Sequence, residues 1–168
     1  MDKNKKRTII VIAVLCVMIL CLALYKLLIP ADFKASADEI AIRIKLNVKE
    51  DIGLIVYDYE IDGHEFGGGV GNADRSLIRH DEEIITTWTK EELKLYLDRE
   101  IDTDSLPFKM SLRIITEYVD PNYENAYPEE ITRYLDTIEW DACFGEEKVI
   151  LITGDKENGY TAVLEYDN

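Results

Sequence analysis

Three carboxylates, Asp58, Glu60 and Glu65, are spaced to share one surface. They flank Asp62-Gly63 in the stretch LIVYDYEI-DG-HEFGGGV. Asp-Gly between two such runs marks a two-residue type I′ hairpin, because both residues tolerate positive φ. The turn then dictates the pairing: Ile61 opposite His64, Glu60 opposite Glu65, Tyr59 opposite Phe66, Asp58 opposite Gly67, Tyr57 opposite Gly68 and Ile55 opposite Val70. One face carries Ile55, Tyr57, Tyr59, Ile61, His64, Phe66 and Val70 and is the expected core side. The other carries Leu54, Val56, Asp58, Glu60, Glu65 and bare glycines. Like charges directly opposed across a ladder are destabilising, so a cation between Glu60 and Glu65 would relieve the strain. Hard oxygen ligands suit calcium, with Asp62 as a fourth donor. The simpler alternative is a solvated face whose carboxylates splay apart.

Other chemistry is sparse. The serines, Ser36, Ser76, Ser105 and Ser111, lie in neither Gly-x-Ser-x-Gly nor Ser-x-x-Lys. His64-Glu65 begins like a zincin motif, but Gly68 stands where the second histidine belongs. His80-Asp81 has no third ligand nearby and reads as a surface residue. Gly67-Gly68-Gly69-Val70-Gly71 lacks the Gly-Lys-Ser/Thr ending of a phosphate cradle, so a bulge or a close backbone approach is expected there. Tyr123 and Tyr127, among turn residues in DPNYENAYPEE, are the expected contact surface for a protein partner or a sugar.

The chain carries 34 acidic and 19 basic residues, a net charge of −15. The first 30 residues hold five basic side chains against Asp2, a net +4, which leaves −19 for the remainder. So acidic a domain disfavours nucleic acid and anionic lipid, whose phosphates are held by Lys and Arg. Thr8 to Tyr25 runs 18 residues without a charge, and extension to Ile29 gives 22 with Lys26 as the one charge, about 33 Å of helix and enough to cross a bilayer. Lys3, Lys5, Lys6 and Arg7 precede it, so the amino terminus is expected in the cytoplasm and everything after Pro30 outside. The competing expectation is secretion after cleavage following Ala37, in Ala-Ser-Ala. Cys16 and Cys21 fall in the span, and Cys143 alone lies beyond it, so the outer part must rely on its core rather than on an internal disulfide.

A membrane-anchored β protein with one outer cysteine and two histidines resembles the sortases in layout. The likeness ends there: Asp-Ala-Cys143 does not match Thr-Leu-x-Thr-Cys, and no arginine follows it, the last being Arg133.

The elements that must position these groups are mostly strands. Ile40, Ile42, Ile44, Leu46 and Val48 alternate, as do Phe108, Met110, Leu112 and Ile114. IITTWT reads as a strand, and Thr89-Lys-Glu-Glu92 has the form of a capping box. Leu93 to Ile101 fits helix and strand alike, and a helical turn followed by a strand is expected. Ile131, Tyr134, Leu135 and Ile138 behind Pro128 predict a short helix. IEWDACF, KVILITG and YTAVLEY, separated by turn signals, predict a closing antiparallel meander. The fold expected is mainly β: a basic tail (1–7), a signal-anchor helix (8–29), a linker (30–39) and an acidic antiparallel sandwich of immunoglobulin-like type (40–168) with one or two short helices, with α+β as the alternative. Without a catalytic signature, a binding or accessory module outside the membrane is expected. A cation-dependent envelope hydrolase on the Asp58/Glu60/Glu65 face and a structural subunit of a membrane complex are the alternatives.

Overall fold

The computed structural model describes residues 16, 18, 33–119 and 128–165. The chain divides into two compact units, Met1–Lys34 and Ala35–Asn168. In the first, Cys16 and Met18 are helical and exposed. The remainder of the expected 8–29 span lies outside the described residues, and among the described residues no helix is long and apolar enough to cross a membrane.

The second unit is mainly β, two sheets enclosing one core. The first sheet takes β1 (Glu39–Val48), β4 (Glu83–Thr89), β8 (Glu147–Asp155) and β9 (Gly159–Glu165) in the order β4-β1-β8-β9. The second takes β2 (Leu54–Ile61), β3 (His64–Val70), β5 (Ser105–Ile115), β6 (Thr132–Tyr134) and β7 (Ile138–Cys143). Its order is β3-β2-β5, with β6 and β7 both on the far side of β5. Alternation builds the core. Ile40, Ile42 and Ile44 of β1 are buried and meet Phe108, Met110 and Leu112 of β5 in one apolar cluster, while Arg43 and Lys45 turn outward. Arg43 is clasped on that outer face by Glu83 of β4 and Glu147 of β8, at 2.7 and 3.1 Å. The hydrogen bond to Glu83 raises the guanidinium pKa further.

Aromatic residues fill one end of the core. Phe108 stacks on Tyr59 and on Trp140, with centroids 5.8 and 4.6 Å apart, and Trp88 Nε1 donates to the Tyr59 hydroxyl at 3.2 Å. Burial pushes the Tyr59 phenol up.

The one α-helix among the described residues of the second unit, α1 (Lys90–Leu97), starts at the anticipated capping box. Thr89 Oγ1 accepts from the Glu92 amide at 3.1 Å, and Glu92 Oε2 accepts from the Thr89 amide at 2.9 Å. Helical spacing prevails over strand alternation here, because Leu93 and Leu97 are buried at i and i+4 while Leu95 and Tyr96 are exposed. Asp98, at φ 49°, ends the helix, and no strand forms before Ser105.

Three further expectations are corrected. The first sheet is not wholly antiparallel: β1 pairs with β8 in parallel, Ile44 beside Ile150. The last three strands do not form one meander, because β7 joins the second sheet beside β5 and only β8 and β9 form a hairpin. The helix expected behind Pro128 shrinks to a single 3-10 turn, Glu129–Ile131. Pairing of Thr132 with Ile115 pulls the chain into β6, and Tyr134, expected on an apolar helix face, is 72% exposed.

Candidate functional site

The hairpin adopts the anticipated register in full, from Ile55 opposite Val70 to Ile61 opposite His64. Asp62 and Gly63 have φ of 51° and 81°, as a type I′ turn requires. The glycine run forms no bulge, since the pairing is unbroken through Val56–Gly69, Tyr57–Gly68 and Asp58–Gly67. It marks a close approach instead: a Cβ on Gly68 would stand 2.5 Å from Cε2 of the Tyr57 ring. On the opposite face Gly67 and Gly69 leave the strand bare.

That face, the outer side of the second sheet, collects the polar side chains. Cross-strand register lays them out in rows: Glu65, Glu60, Lys109 and Glu139; then Gly67, Asp58 and Ser111; then Gly69, Val56, Arg113 and Tyr134. Two shallow open grooves run over it. One, of about 550 Å³, is lined by Asp58, Glu60, Glu65, Gly67, Lys109 and Ser111. The other, of about 460 Å³, is lined by Glu60, Gly63, Pro107, Lys109, Glu139 and Asp141. Glu60 and Lys109 belong to both.

The electrostatics differ from the sequence expectation because β5 lies beside β2. Glu60 does face Glu65, but Lys109 is its partner on the other side and also reaches Glu139 at 3.4 Å. Asp58 Oδ2 accepts from Arg113 Nη2 at 2.6 Å. Asp62, the expected fourth donor, is instead paired with Arg99 beyond α1. Asp58, Glu60 and Glu65 therefore share a face without forming a cation cage, and among the described residues no group of three or more His, Cys, Asp or Glu side chains is placed to hold a metal ion. Arg113 offsets the charge of Asp58, while Glu60 and Glu65 remain opposed with Lys109 in the same row.

His64, expected on the core side, sits at the hairpin tip, exposed, with Nδ1 3.2 Å from the Asp62 carbonyl oxygen. Val56, expected outside, is buried in the row between Gly69 and Arg113. His80 is exposed with Nδ1 2.8 Å from Asp51, whose carboxyl it holds below the usual range. Cys143 is half-buried, and burial, then the charge of Glu146, pushes its thiol pKa up, away from the thiolate that nucleophilic chemistry uses. Neither histidine is among the groups that shift it. Tyr123 and Tyr127 lie outside the described residues.

Lys109, Arg113 and Tyr134 were missed as parts of this face. The outward positions of FKMSLRII are visible in its alternation, but which strand lies alongside is not.

No family model matches the chain. No curated protein matches it either. Among solved structures it is similar to the human-specific toxin intermedilysin, with TM-score 0.39 and 9% identity over 80% of this chain and 24% of that one. It is similar also to a protein from Eubacterium rectale, with TM-score 0.37 and 14% identity over 78% of this chain and 92% of the other. A third is the membrane-binding domain of pneumolysin, with TM-score 0.36 and 7% identity over 77% and 98%. The chain spans about a quarter of the length of intermedilysin. At TM-scores below 0.5, none of these likenesses bears on function.

Proposed function

We propose that the chain is a single-pass membrane protein, amino terminus inside, whose acidic β domain acts outside the cytoplasm as a binding or accessory module without catalysis of its own. The immunoglobulin-like form of the sandwich is part of the same proposal, supported by two mostly antiparallel sheets packed through one core. The observation that carries the module reading is the outer face of the second sheet, open and polar, with Asp58 engaged by Arg113 and Glu60 set beside Lys109. Open faces of this kind recognise surfaces, whereas a hydrolase gathers its acid and base in a concave, water-excluding pocket. The anchor rests on the 22-residue run behind Lys3, Lys5, Lys6 and Arg7. A second reading, a structural subunit of a membrane complex, is favoured by the long edge that β3 presents.

The test is a photo-crosslinking amino acid placed in the full-length protein, in intact cells, at Ser111 on the outer face of the second sheet or at Thr161 on the first. A defined adduct from Ser111 and none from Thr161 is the expected result. Equal adducts from both, or none, would defeat the assignment of this face. External protease should remove a carboxy-terminal tag from intact cells, and a protected tag would overturn the topology. A fixed one-to-one stoichiometry of the captured partner under all conditions would favour the structural subunit.

A further inference from the structure

The free edge of β3 adds a feature the polar face alone does not have. Hydrogen-bonded pairs alternate from a two-residue turn, so Ile61–His64, Tyr59–Phe66 and Tyr57–Gly68 exchange their main-chain bonds. The N–H and C=O groups of Glu65, Gly67 and Gly69 therefore point away from β2, and none of the hydrogen bonds among the described residues reaches them. The strand has no lysine, proline or bulge, the devices that ordinarily blunt an edge. The opposite end of the sandwich differs, since β9 lies against β6 and β7.

We propose that β3 is a strand-addition site for an extended, basic polypeptide segment of a partner protein, a deepening that rests on the module reading above. Main-chain bonds to Glu65, Gly67 and Gly69 would give the segment its hold, and alternate side chains would be read on the outer face. The charge of that face selects the occupant. A side chain opposite Gly67 meets no side chain there, and Asp58 Oδ1 lies 3.4 Å from where a Cβ on Gly67 would stand. A lysine or arginine at that position reaches across the bare glycine toward Asp58 and Glu60, with Glu65 alongside. A second copy of this chain would bring another domain of net −19 to the same edge, which like-charge repulsion opposes.

The probe is a capped ten-residue alternating Lys-Val peptide, titrated into the full-length protein in zwitterionic micelles and followed by NMR amide exchange. Binding should slow exchange at Glu65, Gly67 and Gly69 by tenfold or more. N-methylation of the peptide amides on its bonding edge should weaken binding at least tenfold, as should Glu65→Lys, an exposed change that leaves the core untouched. Three results would overturn the proposal: no slowing up to millimolar peptide, binding of the N-methylated or a Glu-Val peptide within twofold of the Lys-Val one, or slowing that rises with protein concentration before any peptide is added. The last would assign the edge to a second copy. Failure here with a Ser111 adduct intact would discard strand addition and leave the module reading, whereas peptide binding without any adduct in cells would discard the cellular role assigned to the face.

Discussion

Gly68→Ala isolates the reason for the glycine run. The new Cβ would stand 2.5 Å from Cε2 and 2.8 Å from Cζ of Tyr57, well inside any real carbon contact, so the ring must swing off the strand. Tyr57 is 9% exposed and packs 6.0 Å from Tyr59, so that movement disturbs the aromatic end of the core. Overpacking of this kind costs about 1–2 kcal/mol. With a urea m-value of about 2 kcal/mol/M, the unfolding midpoint should fall by about 0.5–1 M at unchanged slope. Gly67→Ala, one residue away, is the control. Its Cβ meets Asp58 Oδ1 at an ordinary 3.4 Å, so the loss of unfolded-state freedom should dominate and stabilise by about 0.4–1 kcal/mol. Tyr57→Leu removes the ring atoms that collide, and in that background Gly68→Ala should become neutral or mildly stabilising, a coupling of at least about 1 kcal/mol. Denaturant titration of all five proteins closes the cycle. A Gly68→Ala protein as stable as the parent, or strict additivity with Tyr57→Leu, would refute the close-approach account.

Asp155 supplies a pH test. Its carboxylate is buried, pairs with Lys49 and accepts from the Glu157 and Asn158 amides at 3.0 and 2.7 Å, which holds its pKa well below the usual carboxylate range. A depressed folded pKa means that this stabilisation is complete above the unfolded value, near pH 4, and is lost as pH falls toward the folded one. Melting temperature should therefore drop more steeply below pH 4 in the parent than in Asp155→Asn, and parallel curves would show that the group does not govern the acid limb. Thr89→Ala removes one half of the capping box and should cost about 1 kcal/mol in a thermal melt. Phe108→Ala empties the stack between Tyr59 and Trp140 and should cost about 3–5 kcal/mol, with loss of near-UV dichroism, and a shift under 1 kcal/mol would mean that the aromatic end is not the packed core described.

Features set by neighbours in the chain were readable. Asp62-Gly63 specified both turn type and register, and Thr89 with Glu92 specified a helix start, because each rests on contacts within a few residues. Features set by distant pairing were not. Nothing in KVILITG says that it lies parallel beside Ile40 to Val48, and nothing in IEWDACF says that it leaves its neighbours for β5. The candidate site divides along the same line. The opposition of Glu60 and Glu65 follows from the hairpin, but Lys109 and Arg113, the basic groups of the face, arrive through the β2–β5 pairing. Tyr134 was misplaced for a related reason: its apolar spacing matched a helix, and strand pairing with Arg113 outweighed that local preference.

The parallel seam between β1 and β8 carries a consequence for synthesis. Ala41 pairs with Glu147 and Val48 with Gly154, so β1 is completed by a strand made about a hundred residues later. At about 5–20 residues per second, roughly 5–20 s separate the two on the ribosome. For that interval β1 has at most β4 beside it in the first sheet. Truncation anywhere before Glu147 removes the seam altogether, along with the β8–β9 hairpin, and leaves only β1 and β4 of the first sheet. The seam thus ties closure of the first sheet to the making of β8, about a hundred residues after β1.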